Sequence, residues 1–300
     1  MRAVVLGAAA GGGFPQWNSN AVACRRARSG DPAAPARTQA SVAVSADEEH
    51  WTILNASPDL REQINRSPFL HPSQSLRSTP ISDVLLTGGD VDVLAGLLTL
   101  RERQPFTLSA TQAIHDILDA NPIFEVLARD VVERRVVDVG APIALKGGLH
   151  AELFPAPGKT PLYLETGDAP PPIETGEITV AASVSGGGHT LVYVPGCAEI
   201  TPALALRLNG ADVVFFDGTL WRDDEMILAG LGPKTGRRMG HISMSGPQGA
   251  IAGFRDIAVG RKVFIHINNS NPVLLADSAE RAEAEGEGWE IAYDGMEIRL

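Results

Sequence analysis

Apolar positions along this chain fall into short solid runs and period-two alternations, broken by turns rich in glycine and proline, and helical three-to-four spacing is confined to a few segments. Residues 3–6, 84–86, 213–216 and 263–265 are apolar throughout and predict strands buried on both faces. Residues 41–45 and 51–55 flank a short polar stretch and predict a hairpin. Residues 178–184 and 190–194 predict a second around Gly186-Gly187-Gly188. Further strands are expected at 106–108, 131–139, 149–154 and 290–293, and after the Asp294-Gly295 turn. Helices are expected where a cap precedes an amphipathic run: after Ser57-Pro58-Asp59 with Ser57 as N-cap, over 94–100, from Thr111 towards Leu118, between Thr201-Pro202 and Gly210, and over 277–285.

The second half of the chain repeats the strand-and-helix logic of the first. Between them, residues 155–176 carry Pro155, Pro157, Pro161 and Pro170 to Pro172 and read as a linker or as an excursion over the surface. The strands that follow have no cap of their own and resume the same alternation at once. That favours the excursion and a single α/β domain over residues 1–300.

A hydrophobic fraction of 44% over 300 residues suffices for an ordinary globular core. The formal net charge of −11 argues against nucleic acid or an anionic membrane as the main partner, since Arg25-Arg26-Ala27-Arg28 and Arg237-Arg238 are only local exceptions. Cys24 and Cys197 are too few for a disulfide framework. The first apolar run is too short for a signal peptide, and no run reaches membrane-spanning length, so no membrane insertion and a cytoplasmic location are expected.

Chemistry concentrates where apolar strands end. The segment Leu86-Thr87-Gly88-Gly89-Asp90-Val91-Asp92-Val93-Leu94 joins a strand to a helix and carries two carboxylates, with Asp92 open to a plain capping role. The strand at 213–216 runs into Asp217, the strand at 263–265 into His266, and His241 lies in a loop between them. Carboxylates and imidazoles gathered at one rim repel or desolvate one another unless a cation or bound protons neutralise them. Asp90, Asp92, Asp217, His241 and His266 are therefore candidate ligands of a divalent metal, mixed His/Asp ligation suiting iron, zinc or manganese. The glycine-rich turn after the first strand lacks both the P-loop lysine and the GxGxxG spacing and reads as a tight turn.

Ala8-Ala9-Ala10-Gly11-Gly12-Gly13-Phe14-Pro15-Gln16-Trp17-Asn18, Arg37-Thr38-Gln39, Leu54-Asn55-Ala56-Ser57-Pro58-Asp59, Gly96-Leu97-Leu98-Thr99-Leu100-Arg101-Glu102, Met239-Gly240-His241 and His266-Ile267-Asn268-Asn269-Ser270-Asn271-Pro272, in this order, resemble the pyrroloquinoline quinone (PQQ) synthesis protein B family. The resemblance spans the chain and implies a metallo-β-lactamase-like αββα sandwich with a metal site at one edge. It implies a part in making PQQ from a cross-linked Glu-Tyr precursor, either as an Fe(II)- and dioxygen-dependent hydroxylase of the tyrosine ring or as a carrier of PQQ or its precursor towards the periplasm. Other proteins of the pathway are possible partners. For the hydroxylase, with zinc as the other metal, His241 and His266 with Asp92 or Asp217 supply a catalytic two-imidazole, one-carboxylate set. Asn268 and Asn269 would orient ligands or substrate. Lys234, Arg237 and Arg238 could hold substrate carboxylates, or form a solvated basic loop.

Two departures stand out. Where the wider superfamily has His-x-His-x-Asp-His at positions 88 to 93, this chain ends in Val93, which cannot ligate. Where many members have three cysteines, this chain has Ser19, Ala21 and Cys24, too few thiolates for the usual structural zinc, so residues 19–35 are expected to be more mobile than in relatives.

Overall fold

The computed structural model describes residues 1–166 and 171–300; Pro170 of the expected excursion lies outside the described residues. Two seven-stranded sheets carry the chain. The first is built from β1 (Arg2–Gly7), β2 (Ser41–Ser45), β3 (Trp51–Leu54), β4 (Ile81–Leu85), β5 (Thr107–Ala110), β6 (Glu133–Val136) and β14 (Glu297–Arg299). The second is built from β7 (Pro142–Ala144), β8 (His150–Pro155), β9 (Val180–Gly186), β10 (His189–Val194), β11 (Val213–Asp217), β12 (Arg261–Ile265) and β13 (Trp289–Ile291). Their orders, β14-β1-β2-β3-β4-β5-β6 and β13-β12-β11-β10-β9-β8-β7, share one design. In the first, antiparallel pairing from β14 to β3 gives way to parallel pairing from β3 to β6. In the second, antiparallel pairing from β7 to β10 gives way to parallel pairing from β10 to β13.

Period two decides what lies between the sheets. Leu191 and Tyr193 of β10, Val213 and Phe215 of β11, and Val263 and Ile265 of β12 join Val42 of β2, Leu54 of β3 and Leu85 of β4, which the register puts on one face of the first sheet, in the central core. The intervening Val192, Val194, Val214, Phe216 and Phe264 face outward, onto α5 (Pro202–Leu208), α8 (Ala250–Gly253) and α9 (Ala279–Gly286) through Leu204, Leu208, Ile251 and Ala284. Stacking of Phe264 on Trp289, at 3.8 Å between centroids, consolidates that layer. Outside the first sheet, α2 (Leu60–Arg66), α3 (Val91–Leu94) and α4 (Gln112–Asp119) contribute Leu60, Leu94, Ile114 and Leu118. Both hairpins, the four layers and the two-half repeat agree with the sequence reading.

Local boundaries differ for physical reasons. The helix expected at Ser57 begins at Leu60, because the Ser57 hydroxyl donates to Gln63 Oε1 (3.1 Å) while Asp59 accepts from the Gln39 amide and side chain. The expected strand over 131–139 is only Glu133–Val136. The proline-led edge strand β7 was not foreseen, nor was α1 (Val22–Arg28), whose N-cap position is Ala21 and offers no capping oxygen. The short helices α6 (Glu225–Leu228) and α7 (Gly236–Met239) fall in the long connection from β11 to β12. Among the described residues no helix is long and apolar enough to cross a membrane.

Candidate metal centre

The carboxyl ends of β4, β10, β11 and β12 open onto a cavity of about 500 Å³, lined by Asp90, Asp92, Val93, Thr219, His241 and His266 together with Lys159, Lys234, Asn268 and Asn269. Parallel pairing sets these ends level: Asp217, the last residue of β11, is opposite Ile265 of β12, and His266 follows directly. His266 takes a left-handed conformation (φ 58°), uncommon for a residue with a side chain, which turns the chain sharply out of the strand at the site. On the opposite wall, Asn55 (φ 62°) holds the turn after β4: its side-chain oxygen accepts from the Thr87 amide (2.9 Å) and its amide donates to Thr87 Oγ1 (2.9 Å).

Contacts link the acids and imidazoles into one network. Asp92 Oδ2 lies 2.8 Å from His266 Nε2, across the gap between the two halves of the fold. His241 Nδ1 lies 2.7 Å from Asp217 Oδ2. The Thr219 hydroxyl lies 2.6 Å from Asp217 Oδ1, 2.9 Å from His266 Nδ1 and 3.1 Å from His241 Nδ1. The two rings stack with centroids 5.3 Å apart. Burial pushes the Asp90 carboxyl above the usual carboxylate range, and the Asp92 charge adds to it. Burial alone would raise Asp92 as well, but the hydrogen bond and charge of His266 outweigh it and hold Asp92 low. His266 responds in kind: burial works against its charged form, and Asp92 more than offsets that.

This donor set fits a divalent cation. Asp217, His241 and His266 each bring a ligand atom within 4.8 Å of the others, and Asp92 reaches the same cavity on His266. Asp90 lines the cavity without joining that pair. Val93 also lines it, so the expected loss of an imidazole there is a loss from the cavity wall itself. Of the basic residues singled out in the sequence, Lys234 lines the cavity. Arg238 is tied to Glu165 (2.7 Å), and Arg237 faces a neighbouring cavity of about 270 Å³ behind His241. Asn268 and Asn269 both line the main cavity, and Asn269 donates to Gln16 Oε1 (2.5 Å). Cys24 is fully buried with its thiol 3.7 Å from Asn269 Oδ1.

Sequence reasoning missed three residues. Lys159 reaches the cavity from the 155–176 excursion and pairs with Glu165 (2.9 Å), whose carboxyl Arg238 and Lys159 hold down to about 2. A proline-rich loop gave no sign of that. Thr219 braces three of the candidate ligands, and Asn55 braces Thr87 in the turn that leads to Asp90 and Asp92. The detectable signals were a hydroxyl two residues after Asp217 and an asparagine, a residue that tolerates the left-handed region, at the end of a strand.

Comparison with known proteins agrees with this architecture. The beta-lactamase superfamily domain model matches residues 50–267. The coenzyme PQQ synthesis protein B of Gluconacetobacter diazotrophicus is 60% identical over 98% of both chains, and that of Methylorubrum extorquens is 52% identical over the full length of both. The 1.98 Å crystal structure of Zn(2+)-bound PqqB from Methylobacterium extorquens superposes with a TM-score of 0.98 at 52% identity, covering both chains completely. A diphosphatase of the PhnP family, at 20% identity and a TM-score of 0.68, shares the fold. With the fold, the cavity and the length of the match in agreement, the chain belongs to the coenzyme PQQ synthesis protein B family, within the beta-lactamase superfamily.

Proposed function

We propose that this protein acts in PQQ biosynthesis as a metal-dependent enzyme, and that its reaction is the Fe(II)- and dioxygen-dependent hydroxylation of the tyrosine ring of a cross-linked Glu-Tyr precursor. The observation that carries this reading is the His266–Asp92 contact at 2.8 Å beside His241, two imidazoles and a carboxylate at the wall of an open cavity. Three protein ligands would leave room on a bound metal for both dioxygen and substrate, as in non-haem ferrous oxygenases. Bound iron would supply dioxygen activation, chemistry no side chain can provide. His241, His266 and Asp92 or Asp217 would hold it, with Asp90 nearby. Lys234 and Lys159 would bind precursor carboxylates, and Asn268 and Asn269 would orient the substrate. Asp90, kept protonated more readily than an ordinary carboxyl, can donate a hydrogen bond towards the ring.

Insertion of one oxygen atom into a ring C–H bond releases the other as water and consumes two electrons and two protons, so the assay must include a reductant. Iron-loaded protein incubated with the cross-linked precursor, oxygen and ascorbate should give a product heavier by one oxygen atom, and 18O2 should label it. No labelled product from iron-loaded protein would refute the hydroxylase and leave the carrier reading, which needs the lysines and the cavity but not the His266–Asp92 pair. Binding of PQQ or the precursor by metal-free protein would then be the expected result.

A further inference from the structure

We infer that Thr219 is a positioning residue that fixes His266 as its Nδ1–H tautomer, as Asp217 fixes His241, so that both imidazoles offer Nε2 to a metal while Asp217 anchors Thr219 and His241. The inference rests on the reading that the cavity holds a divalent cation, and it follows from counting donors. Asp217 is fully buried and its two oxygens accept from four groups. The Thr219 amide (3.0 Å) and hydroxyl (2.6 Å) reach Oδ1, and the Cys197 amide (2.8 Å) and His241 Nδ1 (2.7 Å) reach Oδ2. A carboxylate has about four lone-pair sites, and all of them are in use. An ionised carboxylate can only accept, so the proton of that last contact resides on His241 Nδ1.

The Thr219 hydroxyl has a single proton, and its shortest contact is the charge-assisted one to Asp217 at 2.6 Å. With that proton committed, the oxygen is an acceptor towards His266 Nδ1 at 2.9 Å, and His266 must carry a proton there. The same oxygen lies 3.1 Å from the His266 carbonyl and 3.1 Å from His241 Nδ1, so it packs between both ring edges. His266 Nε2 then turns to Asp92 Oδ2 at 2.8 Å, a contact bridged by a proton on Nε2 in the metal-free protein that a cation would take over by displacing that proton. Outer partners of this kind commonly set the tautomer of a ligating histidine.

The test is 15N NMR of the histidine rings together with zinc titration, neither of which depends on hydroxylation. Two-bond 1H–15N correlations of zinc-loaded protein should show protonated Nδ1 and zinc-perturbed Nε2 for both His241 and His266. Thr219→Val keeps the shape and removes the hydroxyl. It should weaken zinc binding roughly 10- to 100-fold and change the His266 ring signals, while Thr219→Ser restores both. Zinc at Nδ1 of either ring in the unmodified protein overturns the inference, and so does a Thr219→Val variant with unchanged affinity and spectra. If Thr219→Val does not fold, the spectra of the unmodified protein decide alone. A Glu-Tyr hydroxylation failure with these spectra intact would count against the proposed reaction and not against this assignment.

Discussion

Val93→His should tighten metal binding. Val93 sits in the third position of α3 and lines the cavity, with its backbone fixed on both sides: its amide donates to the Asp90 carbonyl (3.0 Å) and its carbonyl accepts from the Ala56 amide (2.7 Å). The side chain direction is thus set before the side chain is chosen. Gly88 lies beside it, where an added Cβ would make only ordinary contact with Val93 Cγ2 (3.8 Å) and the Ile178 carbonyl (3.7 Å). Val93 only partly joins the core, so exchanging it for imidazole should lower metal-free stability by about 1 kcal/mol, a fraction of the value for a fully buried valine. Against that stands one more nitrogen ligand. Changes to outer partners alone shift metal affinity by roughly 10- to 100-fold, so a gained ligand should be worth at least about 10-fold, or about 1.4 kcal/mol. Competition with a chromophoric zinc chelator, and anaerobic titration for Fe(II), would measure this in the unmodified protein, Val93→His and the donor-free control Val93→Leu. Equal affinities in all three would mean that position 93 does not face the metal.

Two further changes probe the scaffold. The Glu225 carboxyl accepts from the Trp221 amide and Ser270 Oγ (both 2.6 Å), yet burial pushes it up to about 7. An acid raised in the folded state stabilises fully below its unfolded value of about 4.5 and loses that contribution as pH rises towards 7. Glu225→Gln should therefore gain up to about 3 kcal/mol at pH 8 over its effect at pH 4.5. Urea unfolding with chelator present at both pH values would show it, and a pH-independent difference would refute it. Gly96 lies so close to the chain at 56–57 that a Cβ would meet the Ser57 carbonyl at 2.0 Å, and its amide donates to Ala56 (2.8 Å). Gly96→Ala should cost about 2–4 kcal/mol in thermal unfolding or prevent folding, and a native melting temperature would show that the two segments can part.

Much of this was legible because it rests on local pattern. Residues such as Val214 and Phe215, or Phe264 and Ile265, alternate between two cores, and period two survives without any knowledge of partners. Four of the five candidate ligands could be found because each closely follows an apolar strand, and His241 because it lies in the loop between two of those strands. What could not be read was pairing at long range. Nothing near Asp92 in sequence announces that its partner is His266, 174 residues away, or that Arg238 is neutralised by Glu165 across 73 residues. Ser57 was assigned a capping role from its neighbours alone, and a tertiary contact to Gln63 took its hydroxyl instead. Lys159 was hidden for a similar reason, since its place at the cavity depends on where the excursion folds back.

That long-range pairing has a thermodynamic consequence. Asp92 comes from α3, just after β4 of the first sheet, and His266 follows the end of β12 in the second, so a cation held between them would join the two halves of the molecule at the site. A ligand that binds only the folded state stabilises it by about 2.7 kcal/mol at 100 times its dissociation constant, and by about 1.4 kcal/mol at 10 times. Zinc at the higher ratio should raise the melting temperature of the unmodified protein by on the order of 5 °C. Asp92→Asn keeps the shape, removes the charge and should weaken binding at least about 10-fold, so the same zinc concentration should give about half that shift or less. Cys24→Ala lies outside this set of ligands and should leave the zinc shift intact, although the loss of a buried side chain lowers the starting temperature. Differential scanning calorimetry with and without zinc separates the two effects. A zinc shift that survives Asp92→Asn and disappears with Cys24→Ala would place the bound metal by the α1 segment and refute the assignment of the cation to the cavity between the sheets.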